Sequence, residues 1–246
     1  MLDVEERSMV TVLRLRHGKV NALDLDLLRA ITTAMRDVDD KGAVVITGTG
    51  SAFSAGVDLQ QIVNGGQSYV QEFLPALSGT FMAIFDHPGP VVAAINGHAI
   101  AGGCVIAAAC DVRVMSQGTI GLTELSVGVP FPTAALEILR HAIGPAADRL
   151  VPTAGLLEPL QARSIGLVHD IEAPDTLLDA AAAKAQKMAQ IPAEVFAFSK
   201  RQLHQPARDR IAARNGDDDA VLALWSSTRT HDAITGYLGT LKQRSR

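Results

Sequence analysis

The sequence predicts an α/β fold that gives way to helices alone toward its C-terminal end. Three observations lead there. Short apolar, β-branched runs alternate with helix-period segments to about residue 170, the pattern of crossover connections between mainly parallel strands. Beyond Ala173 the strand-like runs stop. A chain of 246 residues that is 48% hydrophobic is long and apolar enough to bury a substantial core.

Val10, Val12, Leu13 and Leu15 lie among Thr and Arg as a strand, ended by His17 and Gly18. Residues 24–39 carry Leu25, Leu28, Ile31, Met35 and Val38 at helical spacing. Residues 43–47 are a short apolar strand closed by Gly48, Thr49 and Gly50. A loop follows, then a short helix over 58–63, interrupted at Gly65 and Gly66. Residues 69–85 are helical in pattern, with Pro75 expected at a bend or a first turn. After the stop at Pro88-Gly89-Pro90, residues 91–95 read as a buried strand, 102–109 as a buried helix of small residues and 112–115 as a strand. Residues 176–190, 193–204 and 217–242 are helical throughout. Trp225, Ile234, Tyr237, Leu238 and Leu241 give the last segment an apolar face. It must be covered, either by this chain's own core or by a second subunit.

Composition narrows the function classes. Only 4% of residues are aromatic and 21 are Gly, so a core of Ala, Val, Leu, Ile and Gly packs its elements closely. The two cysteines, Cys104 and Cys110, are too few for a disulfide framework and suit a reducing compartment. A net charge of -4 gives no general attraction for nucleic acid, and no nucleic-acid partner is expected. The longest apolar stretch, 91–109, is broken by Asn96, Gly97, His98, Gly102 and Gly103, so no membrane span is expected. The opening residues lack a basic segment leading into an apolar one. A cytoplasmic location follows as the expectation.

Several motifs fail on inspection. Gly48-Thr49-Gly50-Ser51-Ala52-Phe53 follows a strand, but Phe53 stands where a dinucleotide fingerprint needs its third glycine. No Gly-x-Ser-x-Gly elbow and no phosphate-binding P-loop occur. His98, Cys104, Cys110 and Asp111 fit no zinc spacing, so no metal is expected. Asp217, Asp218 and Asp219 read as a solvated helix start.

Two segments carry more. One runs Ala52-Phe53-Ser54-Ala55-Gly56-Val57-Asp58-Leu59, the other Asn96-Gly97-His98-Ala99-Ile100-Ala101-Gly102-Gly103-Cys104. Each follows a buried strand and leads into a helix, where small residues let a ligand approach the backbone and free N–H groups point outward. Two such N–H groups aimed at one point form an oxyanion hole.

Together these segments resemble the crotonase (enoyl-CoA hydratase/isomerase) superfamily, with Cys110-Asp111 at the matching place and Lys19-Val20-Asn21-Ala22-Leu23 similar to the family's opening stretch. The resemblance spans about residues 10 to 245, in the family's order. It implies a crotonase-like ββα spiral core over residues 1–190, holding an acyl-CoA site, and a C-terminal helical trimerisation region over 191–246. It places the oxyanion donors on the backbone N–H groups of Val57 and Gly102. It places coenzyme A contacts at Val20, Ala22, Ala55, Asp58 and Leu59. Coenzyme A enters as part of the substrate, no separate cofactor is implied, and the chain is expected to form homotrimers or hexamers.

Hydratases of the family use two glutamates. The first falls here on Val105, which has no proton to give or take; the second falls on Glu124 in Gly121-Leu122-Thr123-Glu124. That pattern is most similar to Δ3,Δ2-enoyl-CoA isomerases, with Thr123 where they carry Asn. The implied activity moves a 3-enoyl-CoA double bond to the 2-position with Glu124 as sole acid/base. A hydratase-like or other crotonase reaction, and a non-catalytic acyl-CoA binder, remain as alternatives. Phe73, Leu77, Phe81, Val129 and Phe131 are the expected pocket walls, and Lys242, Arg244 and Arg246 are either cations for the coenzyme A 3′-phosphate or a frayed basic end.

Overall fold

Two sheets are wound from one repeating unit. The computed structural model describes residues 1–7, 9–38 and 42–244, with the side chains of Asn215, Lys242 and Arg244 outside that description. The chain opens with an antiparallel pair, β1 (Leu2–Arg7) and β2 (Val10–Leu15), followed by α1 (Leu25–Asp37). Two strands and a helix then recur three times: β3 (Ala43–Thr47), β4 (Ala52–Ser54) and α2 (Leu59–Phe85); β5 (Val91–Ile95), β6 (His98–Ile100) and α3 (Gly102–Ala108); β7 (Val112–Met115), β8 (Ile120–Gly121) and α4 (Glu124–Val127). Next come α5 (Thr133–Ile143), a 3-10 turn (Gly144–Ala146), α6 (Ala147–Thr153), β9 (Leu156–Leu157), α7 (Pro159–Ser164), β10 (Asp170–Ile171) and α8 (Leu177–Met188). The tail consists of α9 (Ala193–Ala213), α10 (Asn215–Trp225) and α11 (Thr228–Arg244).

The first strand of each unit enters one sheet, ordered β1-β2-β3-β5-β7-β10, and the second enters another, ordered β4-β6-β8-β9. This is the ββα spiral that the resemblance implies. The large sheet is parallel except at β1. Its inner strands are apolar on both faces because both are covered. Leu13, Leu15, Val44, Ile46, Val91, Ala93 and Ile95 face the main core. Val10, Val12, Val45, Val92 and Val114 face the other way, onto Leu177, Ala181 and Ala185 of α8. The two alanines, one turn apart and without exposed surface, let α8 lie close on the strands.

The tail is tied to the spiral by buried charge. Lys200 Nζ on α9 donates to Asp111 Oδ2 at 2.8 Å and to the Gly89 carbonyl at 3.1 Å. The same Asp111 oxygen accepts the Val91 N–H at 2.8 Å, where β5 begins. Glu137 on α5, fully buried, receives Arg140 from its own helix and Arg210 from α9. Trp225 and Ile234 are buried in the main core, and Trp225 Nε1 donates to the Pro130 carbonyl at 2.9 Å. Part of the apolar face that the sequence left open is thus covered by the chain itself.

Several elements differ from expectation. Strand β1 and the whole second sheet escape periodicity: β1 alternates only through Leu2 and Val4 before a run of charges, and the second sheet's strands of two or three residues hold no complete alternation. Gly66, at φ 60° and ψ -153°, breaks α2 where the double glycine stands, but Pro75 lies in mid-helix rather than in a first turn. Helix α9 continues past residue 204 to Ala213 despite Pro206. The helix expected over 217–242 is two helices, and Ser227 Oγ accepts the Thr230 N–H to start the second. Asp218 is no mere solvated start: it accepts the Thr133 N–H at 2.8 Å and so caps α5 from across the fold.

Lys200→Met should destabilise the protein by about 3–5 kcal/mol in urea unfolding, because Asp111 keeps its burial and loses its counter-charge.

Candidate active site

Three short parallel strands end side by side. In the small sheet Ser54 of β4 pairs with Ala99 of β6, and Ile100 of β6 with Gly121 of β8. The chain leaves these ends toward Val57, Gly102 and Glu124 in turn. Carboxyl ends of parallel strands are where α/β folds present ligand-binding groups.

The segment around Val57 is held by Asn21. This buried residue sits at φ 51°, accepts the His17 N–H at 2.8 Å, and donates to the carbonyls of Ala52 and Phe53 at 3.0 and 3.2 Å. Ser54 Oγ donates to the Asn21 carbonyl and accepts the Gly56 N–H. Leu23 bridges the two sides of Val57, donating to the Gly56 carbonyl at 2.7 Å and accepting the Asp58 N–H at 2.9 Å. In such a parallel bridge Val57 turns its own N–H the other way. The Gly102 N–H belongs to the first turn of α3, which has no partner within the helix. Neither N–H makes a hydrogen bond among the described residues.

The two junctions touch. A Cβ on Gly56, which sits at φ 83°, would lie 2.7 Å from the Ile100 carbonyl oxygen and 3.2 Å from the Gly102 nitrogen. A Cβ on Gly103 would lie 2.3 Å from the Ser54 carbonyl oxygen. Glycine is required here by close approach of backbone to backbone. Ala101, between the strand end and the helix, is itself held at φ 53°.

Glu124 opens α4. The Thr123 N–H donates to its Oε2 at 2.9 Å. Burial pushes its carboxyl up to about 7, against the lowering effect of main-chain N–H groups at Glu124 and Thr123. Asp58 is the other carboxylate on the same cavity wall, but its Oδ1 accepts the N–H groups of Gln60 and Gln61 and caps α2. Val105 is buried in α3 among apolar neighbours.

The cavity between these groups has a volume of about 380 Å³. Of the residues expected from the sequence, Val20, Ala22, Ala55, Val57, Asp58, Leu59 and Glu124 all line it. Gly102 does not; Ala101, just before it, does. The Val20 carbonyl already accepts the Ala55 N–H at 2.9 Å, which leaves it one lone pair.

The expected walls need correction. Val129 lines the cavity, but Phe73, Leu77 and Phe81 turn into the main core, and Phe131 packs against that core from its edge. The wall comes instead from the tail: Trp225, Tyr237, Leu238 and Leu241. Their spacing marked an apolar face, and only the fold shows that it bends over Glu124. Thr123 and Val127 also line the site and were not singled out. Lys242 and Arg244 have their side chains, and Arg246 its whole residue, outside the described residues. Among the described residues no three His, Cys, Asp or Glu side chains cluster as a metal site, and no helix is long and apolar enough to cross a membrane.

In a carboxyl-detected NMR titration Glu124 should ionise with a midpoint near 7, and a value near 4.5 would mean that water reaches the carboxylate freely.

The chain is similar to known proteins. A family model described as enoyl-CoA hydratase/isomerase matches residues 5–244. A putative enoyl-CoA hydratase of Thermus thermophilus is 33% identical over 196 residues, which cover 77% of this chain and 78% of that protein. The mitochondrial enoyl-CoA delta isomerase 1 of Mus musculus is 26% identical over 99% of this chain and 88% of that protein. The crystal structure of human mitochondrial delta3-delta2-enoyl-CoA isomerase superimposes with a TM-score of 0.92 at 25% identity, covering 100% of this chain and 99% of the other.

Proposed function

The chain belongs to the enoyl-CoA hydratase/isomerase family, and from that membership we propose that it shifts the double bond of a 3-enoyl-CoA to the 2-position, with Glu124 as its one acid/base group. One observation carries this choice of reaction. Among the described residues the cavity wall carries two carboxylates, Asp58, which caps α2 through Oδ1, and Glu124, whose carboxyl burial lifts to about 7; the place of a second glutamate is filled by buried Val105.

The reaction needs one base on one face. Glu124 takes a proton from C2 of the thioester. The C2–H electron pair moves toward the thioester carbonyl, giving a dienolate whose oxygen accepts from the N–H groups of Val57 and Gly102. Glu124 returns the proton at C4, and the double bond settles between C2 and C3. Neither N–H group has a protein partner among the described residues, so both stand ready for the developing charge without reorganisation. A base with a carboxyl near 7 takes and returns a proton at similar cost. The thioester arm would run along Val20, Ala22, Ala55, Asp58 and Leu59, and the acyl chain toward Trp225, Leu238 and Leu241.

The same reading extends to assembly. Val195 and Phe198 at the start of α9, with Ile191 in the bend just before it, form an apolar row whose members are each about half exposed. We place the contacts of a homotrimer, singly or paired into hexamers, on that row.

Glu124→Gln should lower kcat on 3-enoyl-CoA by roughly 10²–10⁴-fold with little change in KM. Wild-type turnover in that variant would sink the shuttle. In the native enzyme kcat/KM should be level above pH 7 and fall about tenfold per unit below it, since the base works only when ionised. Supplying 2-enoyl-CoA and analysing the products separates the hydratase reading, which requires a 3-hydroxyacyl thioester, from isomerisation.

A further inference from the structure

A second cavity, of about 370 Å³, lies at the opposite end of α3 from the candidate active site. Its volume falls within the roughly 300–1,000 Å³ of small-molecule pockets. Phe85, Phe196 and Leu203 make an apolar side. Arg113, Lys200 and three imidazoles, those of His141, His169 and His204, also line it.

Charge on this wall is unbalanced. Asp111 is the one carboxylate on it among the described residues, and its Oδ2 is already taken by Lys200 Nζ and the Val91 N–H, each at 2.8 Å. Arg113 is buried and fixed by carbonyls: Nε donates to Leu167 at 2.9 Å and Nη1 to Cys110 at 2.8 Å. Carbonyls satisfy its N–H groups but bring no counter-ion. His204 stacks on Phe85 at a centroid distance of 3.7 Å and meets His141 edge-on at 4.7 Å. His169 Nε2 lies 2.9 Å from Arg113 Nη2.

We propose that this cavity binds a small aliphatic carboxylate, with its charge set against Arg113 and the imidazoles and its chain against Phe85, Phe196 and Leu203. A monoanion with a tail suits a lining that mixes cations with apolar carbon, whereas a bare dianion would leave oxygens desolvated against that carbon.

The imidazoles add a pH dependence. Burial, then neighbouring cations, push His204 down to about 3 and His169 to about 4, and lower His141 as well. The charged groups facing them are Lys200 and Arg208 near His204, Arg113, Asp170 and Lys184 near His169, and Arg113, Asp111 and Arg210 near His141. A bound anion favours the imidazolium form of His141, so binding takes up a proton and tightens as pH falls.

The test uses the full chain with sodium hexanoate, hexanol and inorganic phosphate as probes, followed by NMR of the histidine Cε1–H signals, with His141 assigned through His141→Gln. Hexanoate should bind saturably in the millimolar range, shift the His141 signal and raise its titration midpoint. Ser199→Trp and Leu203→Trp, each filling the cavity from α9, should weaken that response at least tenfold while turnover of 3-enoyl-CoA stays as in the native protein. Absence of a saturable response overturns the proposal. So does an equal response to hexanol, an equal response to phosphate, or unchanged binding in both tryptophan variants, which would put the ligand elsewhere.

Discussion

The Ala101 N–H donates to the Gly121 carbonyl at 2.8 Å, and the arrangement of the candidate site hangs on that bond. It closes the pairing of β6 with β8 at the ends from which the chain turns toward Gly102 and Glu124. One residue beyond the donor lies the N–H that would meet a thioester oxygen. Three residues beyond the acceptor lies the carboxylate that would move a proton. A site spread over two segments that are 22 residues apart in the chain thus has its spacing set by one rung of a sheet. Opposite, Gly56 presses on Ile100 so closely that no side chain fits between, which brings Val57 to the same place. Electrostatic preorganisation of this kind needs rigid backbone, and these contacts are backbone to backbone.

The tail completes what the spiral begins. Buried pairing of Lys200 with Asp111, and pairing of exposed Arg210 with buried Glu137, fixes α9 on the outside of the core. From there α10 and α11 return over the strand ends, and Trp225 fills the gap beside Phe73 while donating to Pro130. Water is kept from Glu124 partly by this returning segment, and exclusion of water is what lifts its carboxyl toward neutrality. Burial by residues far along the chain therefore tunes a base that sits near its middle.

The large sheet and the helices that cover it are legible in the amino-acid order, because their strands are continuous apolar runs and α1 carries a clear helical period. The small sheet is not, since strands as short as Ile120–Gly121 carry no period and are defined only by their neighbours. Residues of the candidate site were singled out through motif order: Val57 and Glu124 stand in segments that resemble the family's, in the family's order. The walls were not. Phe73, Leu77 and Phe81 are large, apolar and near the right segment, and nothing local distinguishes a side chain turned to the core from one turned to a cavity.

By itself the sequence determined the strands of the large sheet and the helices over them, the glycines at the two junctions, and a glutamate at 124 with a valine at 105. Those follow from side-chain chemistry and short-range backbone geometry. Only the tertiary structure decided that three strand ends lie side by side, that Asp58 is a cap, that Asp218 caps a distant helix, and that Tyr237, Leu238 and Leu241 close the cavity. Each of these depends on which surfaces meet after the chain has wound three times. Burial and pairing across such distances have no signature in local order.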